Sequence, residues 1–260
     1  MSADAIFTRE GDLFVPTGHA RGPWDPSQQH GGAPAALMTG AMEALVPGFQ
    51  LARLTVEFLG TVPLAPLRVE AEVWRPGRRM QLARSVATLE DGREVARGRA
   101  VFLHRQELDG VPPGTAGSAL RSGPGDGREE RWWDEHADEG FHRTGMEMRW
   151  VEGDWSRGPA TVWFRLRHPI VEGEPVSGAQ TAAAAADFGN GVSQVLDWND
   201  WLFINTDVTV QLHRPPQGEW VALDARTIVE PGGVGLSVST LHDERGPVGT
   251  GQQTLYVGRR

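Results

Sequence analysis

The sequence predicts an α+β protein of two similar halves, each an antiparallel sheet wrapped around one long helix. Three observations predict it. Strand-like segments recur twice in the same order, a small-residue helical segment precedes each run, and a stretch rich in glycine and proline separates the two runs.

In the first half, Thr55-Val56-Glu57-Phe58 is followed by Leu67 to Trp74, a Pro76-Gly77 turn, Met80 to Leu89, Asp91-Gly92, and Val95 to Leu103. The second half repeats this order with Thr209-Val210-Gln211-Leu212, Trp220 to Val229, a Pro231-Gly232 turn, Val234 to Leu241, the polar Asp243 to Gly246, and Val248 to Val257. β-Branched and apolar residues partly alternate within each run, and Gly, Pro and Asp stand at the breaks, as in hairpins. Each half therefore reads as an antiparallel meander.

Gly31 to Leu45 and Gly178 to Leu196 are the helical segments, one long helix per half. Short β-like pieces lie upstream, at Ile6 to Val15 and at Glu147 to Arg167. A helix rich in Ala and Gly can approach a curved sheet closely because few bulky side chains hold it off. A sheet wrapped around one helix is the hotdog fold, and two copies in one chain make a double hotdog. The stretch from Asp109 to Glu130, with Pro112-Pro113-Gly114 and Gly123-Pro124-Gly125, is poor in apolar residues and reads as a linker. The expected domains are 1–108 (N-terminal hotdog) and 131–260 (C-terminal hotdog), joined by the linker 109–130.

Composition excludes several chemistries. Cysteine is absent from the 260 residues, which rules out disulfides, thiol nucleophiles and cysteine metal sites. Lysine is absent too, so a Schiff-base lysine and a P-loop are excluded. A net charge of −9 argues against a nucleic-acid partner, whose binding would rest on neutralised phosphates. Apolar runs such as Ala182 to Ala186 are far shorter than the roughly 20 residues of a membrane span, so no membrane association is expected. The start Met1-Ser2-Ala3-Asp4 lacks the basic and apolar regions of a signal peptide, and the expected location is cytoplasmic. GxSxG, HExxH and GxGxxG patterns do not occur.

Asp187 in the second helix, Asp207 to Pro215 reading DVTVQLHRP, and Gln252-Gln253 in the last strand resemble the acyl-CoA thioesterase II family. Gln29-His30-Gly31-Gly32 at a helix start and Leu54 to Phe58 extend the resemblance to the first half. It implies hydrolysis of an acyl-CoA or acyl-carrier thioester, without a cofactor, by a water held between a helix Asp, a strand Thr or Ser, and a Gln. Carried onto this chain, the catalytic residues are Asp187, Thr206 or Asn205, and Gln253. Alignment on His213-Arg214-Pro215 puts Asn205 where the family has its hydroxyl, a departure that leaves the third water ligand open. Gln253 fits better than Gln252 by its distance from Val248, and neighbouring strand residues face opposite sides, so only one of the two can point inward. The repeat places Ala100 at the position of Gln253 and Gly40 near that of Asp187, so one half would be active.

His30, Gly31 and Gly32 are the expected substrate-binding residues, because free N–H groups at a helix start can receive the thioester oxygen. Surface arginines, Arg75, Arg78 and Arg79 or Arg214, would hold the phosphates of CoA. Blander readings stand beside these: Asp187 as a helix-end residue near Gly189 and Gly191, Asn205 and Thr206 as turn residues, and His30 tying down the Trp24-Asp25-Pro26 turn. Asp134, Glu135, His136, Asp138 and Glu139 have metal-ligand types but read as a solvated helix face. Trp132-Trp133, Trp198 and Trp201 belong to an acyl pocket, a chain interface or the core. Two alternatives to hydrolysis share the fold: a hydratase or dehydratase using His30, and a noncatalytic acyl-CoA binding module. Exposed sheet edges would permit a homodimer.

Overall fold

The computed structural model describes residues 4–111, 117–129, 139–154 and 158–260. Pro112-Pro113-Gly114, Trp132-Trp133, Glu130 and the acidic cluster up to Asp138 lie outside the described residues. The strands are β1 (Phe7–Glu10), β2 (Leu13–Pro16), β3 (Phe49–Phe58), β4 (Leu67–Arg75), β5 (Met80–Leu89) and β6 (Glu94–His104) in the first half. In the second they are β7 (Met146–Glu152), β8 (Ala160–Leu166), β9 (Trp201–Asn205), β10 (Asp207–Leu212), β11 (Val221–Val229), β12 (Val234–Asp243) and β13 (Gly246–Arg259). The α-helices among the described residues are α1 (Gly32–Glu43), α2 (Gly178–Ala186) and the single turn α3 (Gly189–Val192).

The expectation of two sheets is corrected here. All thirteen strands form one antiparallel sheet, in the order β1-β2-β4-β5-β6-β3-β10-β13-β12-β11-β8-β7, with β9 also on β13. The halves merge because β3 and β10 each carry an unpaired edge, and the two edges satisfy each other. Their register pairs Thr55 with Thr209, the same position of the sequence repeat, and the two hydroxyls lie 3.1 Å apart. A local two-fold relation therefore passes between them. The far ends also meet: Ile6 and Phe7 donate backbone N–H groups to Pro169 and Ile170, both at 2.9 Å.

Both helices lie inside this curved sheet, α1 against β3 to β6 and α2 against β8 and β10 to β12. They are apolar nearly all round, as buried helices must be, and Ala33, Ala35, Ala36 and Ala182 to Ala186 are buried. Small residues let the two helix backbones approach. A Cβ added at Gly32 would lie 2.7 Å from the Ala184 carbonyl, and one at Gly40 would strike the Gln180 side chain. These contacts run in opposite directions along the chain, so the helices are antiparallel. The start of α1 thus meets the end of α2, and the start of α2 meets the end of α1, where Ser177 Oγ donates to Glu43. Burial pushes the Glu43 carboxyl up, against the lowering effect of that hydrogen bond.

The second helix is shorter than the expected Gly178 to Leu196. It starts with a capping box, in which Ser177 Oγ accepts from Gln180 N–H and the Gln180 side chain accepts from Ser177 N–H. It ends at Ala186, where Phe188 N–H closes a tight last turn on Ala185 O at 2.9 Å. Strand β9 lies outside the runs read from the residues, which begin at Thr209, although the resemblance puts Asn205 at a strand position. It extends the line of β10 along β13, with an interruption at Thr206, whose N–H bonds Thr254 O at 2.9 Å.

The pairing of β10 with β13 leaves no room at Gly249, where a Cβ would sit 1.8 Å from Gln211 O. Gly249→Ala is expected to destabilise the protein by about 2 kcal/mol or more, read from the urea midpoint. An unchanged midpoint would show that this part of the sheet is looser than described.

Candidate active site

Asp187 caps the C-terminus of α2, so its side chain leaves the helix toward the start of α1. The side chain is 3% exposed. A carboxylate so buried needs partners, because an isolated charge in an apolar interior is strongly unfavourable. Its partners come from both halves. His30 Nδ1 lies 2.9 Å from Oδ2, and Asn205 Nδ2 donates to Oδ1 at 2.8 Å. Gln253 Nε2 donates to the Asp187 carbonyl at 2.9 Å and lies 3.4 Å from Oδ1.

Each partner is held in turn. Gln253 Oε1 accepts from Asn190 N–H at 2.8 Å, and Asn190 Nδ2 donates to Phe203 O at 2.7 Å. Asn205 Nδ2 also reaches Asp207 O at 3.2 Å. The His30 ring stacks on Phe188, with centroids 4.3 Å apart, and leans on Phe141. His30 Nδ1 faces two groups, the Asp187 carboxylate and Gly32 N–H at 3.1 Å.

Gly31 makes this approach possible, since a Cβ there would lie 2.9 Å from Asp187 Oδ2 and 2.7 Å from Phe58 Cζ. Among the described residues, no acceptor is found for Gly31 N–H. That amide and Asp187 line a cavity of about 320 Å³ together with Gln29, His30, Phe58, Asn205, Thr206 and several aromatic rings. Among the described residues, His30 is the only basic one lining the cavity.

The structure thus brings Asp187, Asn205, Gln253, His30, Gly31 and Gly32 together. It separates Thr206 from them: that hydroxyl is exposed at the cavity edge and bonds Thr254 O at 3.3 Å. Gln253 is 2% exposed and faces inward, whereas Gln252 faces out. Arg214, expected as a phosphate ligand, instead holds the fully buried Asp243 through both Nη atoms, and neither it nor Arg75, Arg78 or Arg79 lines the cavity. The Trp24-Asp25-Pro26 turn is closed by Gln28 N–H on Asp25 O at 3.0 Å and not by His30. Glu139, at the edge of the acidic cluster, lies 4.0 Å from His19. Trp198 lines the cavity, while Trp201 packs under Arg259.

Asn190 and His142 were missed by the sequence reading. Asn190 could have been found as a polar residue one turn beyond Asp187; nothing in the sequence signals His142, which lies in the π-helical turn Phe141–Gly145 near His30.

Two family profiles match the chain: the acyl-CoA thioesterase N-terminal domain over residues 20–103 and the acyl-CoA thioesterase C-terminal domain over residues 119–257. Among solved structures, the chain is similar to a hotdog-fold protein of unknown function from Alicyclobacillus acidocaldarius (18% identity, 98% of this chain, 97% of the other, TM-score 0.70). It is also similar to an acyl-CoA thioesterase II from Mycobacterium marinum (17% identity, 97% and 94% covered, TM-score 0.67). A tesB protein from Mycobacterium avium subsp. paratuberculosis matches at 18% identity over 96% and 94% of the two chains, with TM-score 0.67. At these identities the structural likenesses show the fold. A search of curated proteins found no match.

Burial, with His30 and Arg143 nearby, pushes the His142 imidazole down from 6.5 to about 3. The unfolded chain takes up this proton as pH falls below about 6.5, and the folded one does not until about pH 3. Stability is therefore lost as pH falls through that window, by up to about 1.4 kcal/mol per pH unit. His19 and His242 are lowered as well and act in the same direction. His142→Phe is expected to flatten the slope of unfolding free energy between pH 4 and 6.5, measured by urea titration. An identical slope in the variant would show that His142 is protonated in the folded protein.

Proposed function

The chain belongs to the acyl-CoA thioesterase family, and on that premise we propose that it hydrolyses acyl-CoA thioesters with a water activated at Asp187. The observation that carries this reading is the single buried carboxylate held at once by His30 from the first half and by Asn205 and Gln253 from the second. The architecture proposed with it is a double hotdog, with 1–108 and 131–260 as the two units and 109–130 as the linker. Its support is the doubled strand order, the Thr55–Thr209 pairing of equivalent residues, and the two family profiles.

In this mechanism the thioester carbonyl points its oxygen at the N-terminus of α1, where Gly31 N–H and the helix dipole meet the negative charge that develops. A water held by Asp187 Oδ1, with the Asn205 and Gln253 amides fixing the carboxylate, attacks the carbonyl carbon. Asp187 takes the water's proton, the C–S bond breaks as the tetrahedral intermediate collapses, and the same proton passes to the departing thiolate. The products are a carboxylic acid and free CoA thiol. No covalent enzyme intermediate forms. His30 orients the carboxylate by holding its second oxygen, while Oδ1 shares its lone pairs between the Asn205 amide and the water.

The His30–Asp187 contact also suits a second reading, a hydratase or dehydratase acting on the α and β carbons of an enoyl thioester. Loss of the enoyl-CoA ultraviolet absorbance without thiol release would favour it. Tight acyl-CoA binding with no turnover over long incubation would favour a binding protein instead.

Thiol release from a panel of acyl-CoAs tests the leading proposal. Asp187→Asn is expected to lower kcat by about 10²- to 10⁴-fold with a smaller change in KM. Gln253→Ala and Asn205→Ala should each lower kcat by on the order of 10-fold or more, since they leave the carboxylate misplaced. Full activity in Asp187→Ala would end this mechanism.

A further inference from the structure

Resting on the thioesterase reading, we propose that Trp24 and Trp198 together set the upper size of the acyl group, as a clasp of two indoles closed across the two halves of the chain. The rings are stacked with centroids 3.5 Å apart and planes 17° from parallel, and both line the cavity that holds Asp187. Phe203 stands edge-on to both, at 5.4 Å from Trp24 and 5.6 Å from Trp198. Phe203 and Asn205 lie two residues apart on β9 and share a strand face, which puts the Phe203 backbone about 6.6 Å beyond that of Asn205. The indole pair therefore stands one ring further along the wall that begins at the carboxylate.

Each indole is fixed from behind. Trp24 rides on a turn in which Asp25 Oδ1 accepts from both Ser27 N–H, at 2.8 Å, and Ser27 Oγ, at 2.6 Å. Trp198 belongs to the segment between α3 and β9, where Arg260 Nε donates to Trp198 O at 2.8 Å and Arg260 N–H to Asp200 O at 3.1 Å. The Arg260 guanidinium lies over both rings, 5.4 Å from Trp24 and 5.8 Å from Trp198. A stack of this kind adds attraction beyond the area it buries, so an acyl chain that must part the rings loses that attraction.

The chemistry of the lining identifies which part of the substrate meets the clasp. Among the described residues the cavity lining is rich in aromatic rings and includes no arginine, so it suits an apolar acyl group, while the Arg260 guanidinium stands over the indoles. A cavity of about 320 Å³ is at the lower end of ligand cavities, about 300 to 1,000 Å³. The substrates selected are therefore short acyl thioesters whose chain stops at the indoles.

The test compares kcat/KM for straight-chain acyl-CoAs from butanoyl to hexadecanoyl in the wild type, Trp198→Ala and Trp24→Ala. The wild type should favour the short end. In both variants the ratio of kcat/KM for dodecanoyl over butanoyl should rise about tenfold or more, since a few methylenes admitted to an apolar pocket are worth that much. Trp198→Phe, which keeps a ring and guards against misfolding of the alanine variants, should show a smaller rise in the same ratio. Trp201→Phe, outside the cavity, should leave the ratio as it is. A ratio that stays within twofold of the wild type in folded Trp198 and Trp24 variants overturns the proposal, even if all rates fall together. So does a shift that disappears when N-acetylcysteamine replaces CoA as the leaving group, because the indoles would then touch the pantetheine arm. Absence of thiol release from every acyl-CoA by the wild type is a different result: it defeats the thioesterase reading itself, and this inference with it.

Discussion

The arrangement depends on how closely α1 and α2 approach. Gly32 and Gly40 on one helix meet Ala184 and Gln180 on the other with no space for a further carbon atom. A larger residue at Gly32 would push the backbones apart and draw Asp187 away from His30. The antiparallel packing then creates two similar junctions, each pairing one helix start with the other helix end. At one junction Asp187 meets His30; at the other Glu43 meets Ser177.

The sheet makes these junctions unequal. Thr55 pairs with Arg99 where Thr209 pairs with Gln252, so Ala100 occupies the place of Gln253. By the same equivalence Leu51 stands for Asn205, and a register shift in β3 between Leu51 and Arg53 corresponds to the interruption at Thr206. One junction thus has two amides to hold a carboxylate, and the other has an alanine and a leucine. Glu43, left with a serine hydroxyl in apolar surroundings, has its carboxyl pushed up. A polar site is sustained only where the sheet supplies the donors that compensate burial.

The same two-fold logic makes the cavity a joint product of both halves. His30, Gly31, Phe58 and Trp24 come from the first, and Asp187, Asn205, Phe203 and Trp198 from the second. Neither half alone could bury the carboxylate or close the aromatic wall. The β3–β10 pairing holds the halves in one register, and the contact of β1 with residues 169–172 holds the far edges together. Such pairings tie the cavity-lining residues of both halves to one continuous sheet.

The sequence by itself determined the repeated succession of strand segments and the alanine-rich helix ahead of each run, because hydrophobic period, turn residues and repeated order are local signals. Met80 to Leu89 was bounded in full, and the preference for Gln253 over Gln252 came from its distance from Val248. What the sequence could not show depends on contacts between distant residues. That β3 and β10 join two expected sheets into one, that α2 stops at Asp187, and that 201–205 is a strand were decided by pairing partners far along the chain. That Asn205 rather than Thr206 bonds Asp187, and that Arg214 bonds Asp243, have the same origin. A side chain's role is set by what lies within about 3 Å of it, and only tertiary structure brings those atoms there.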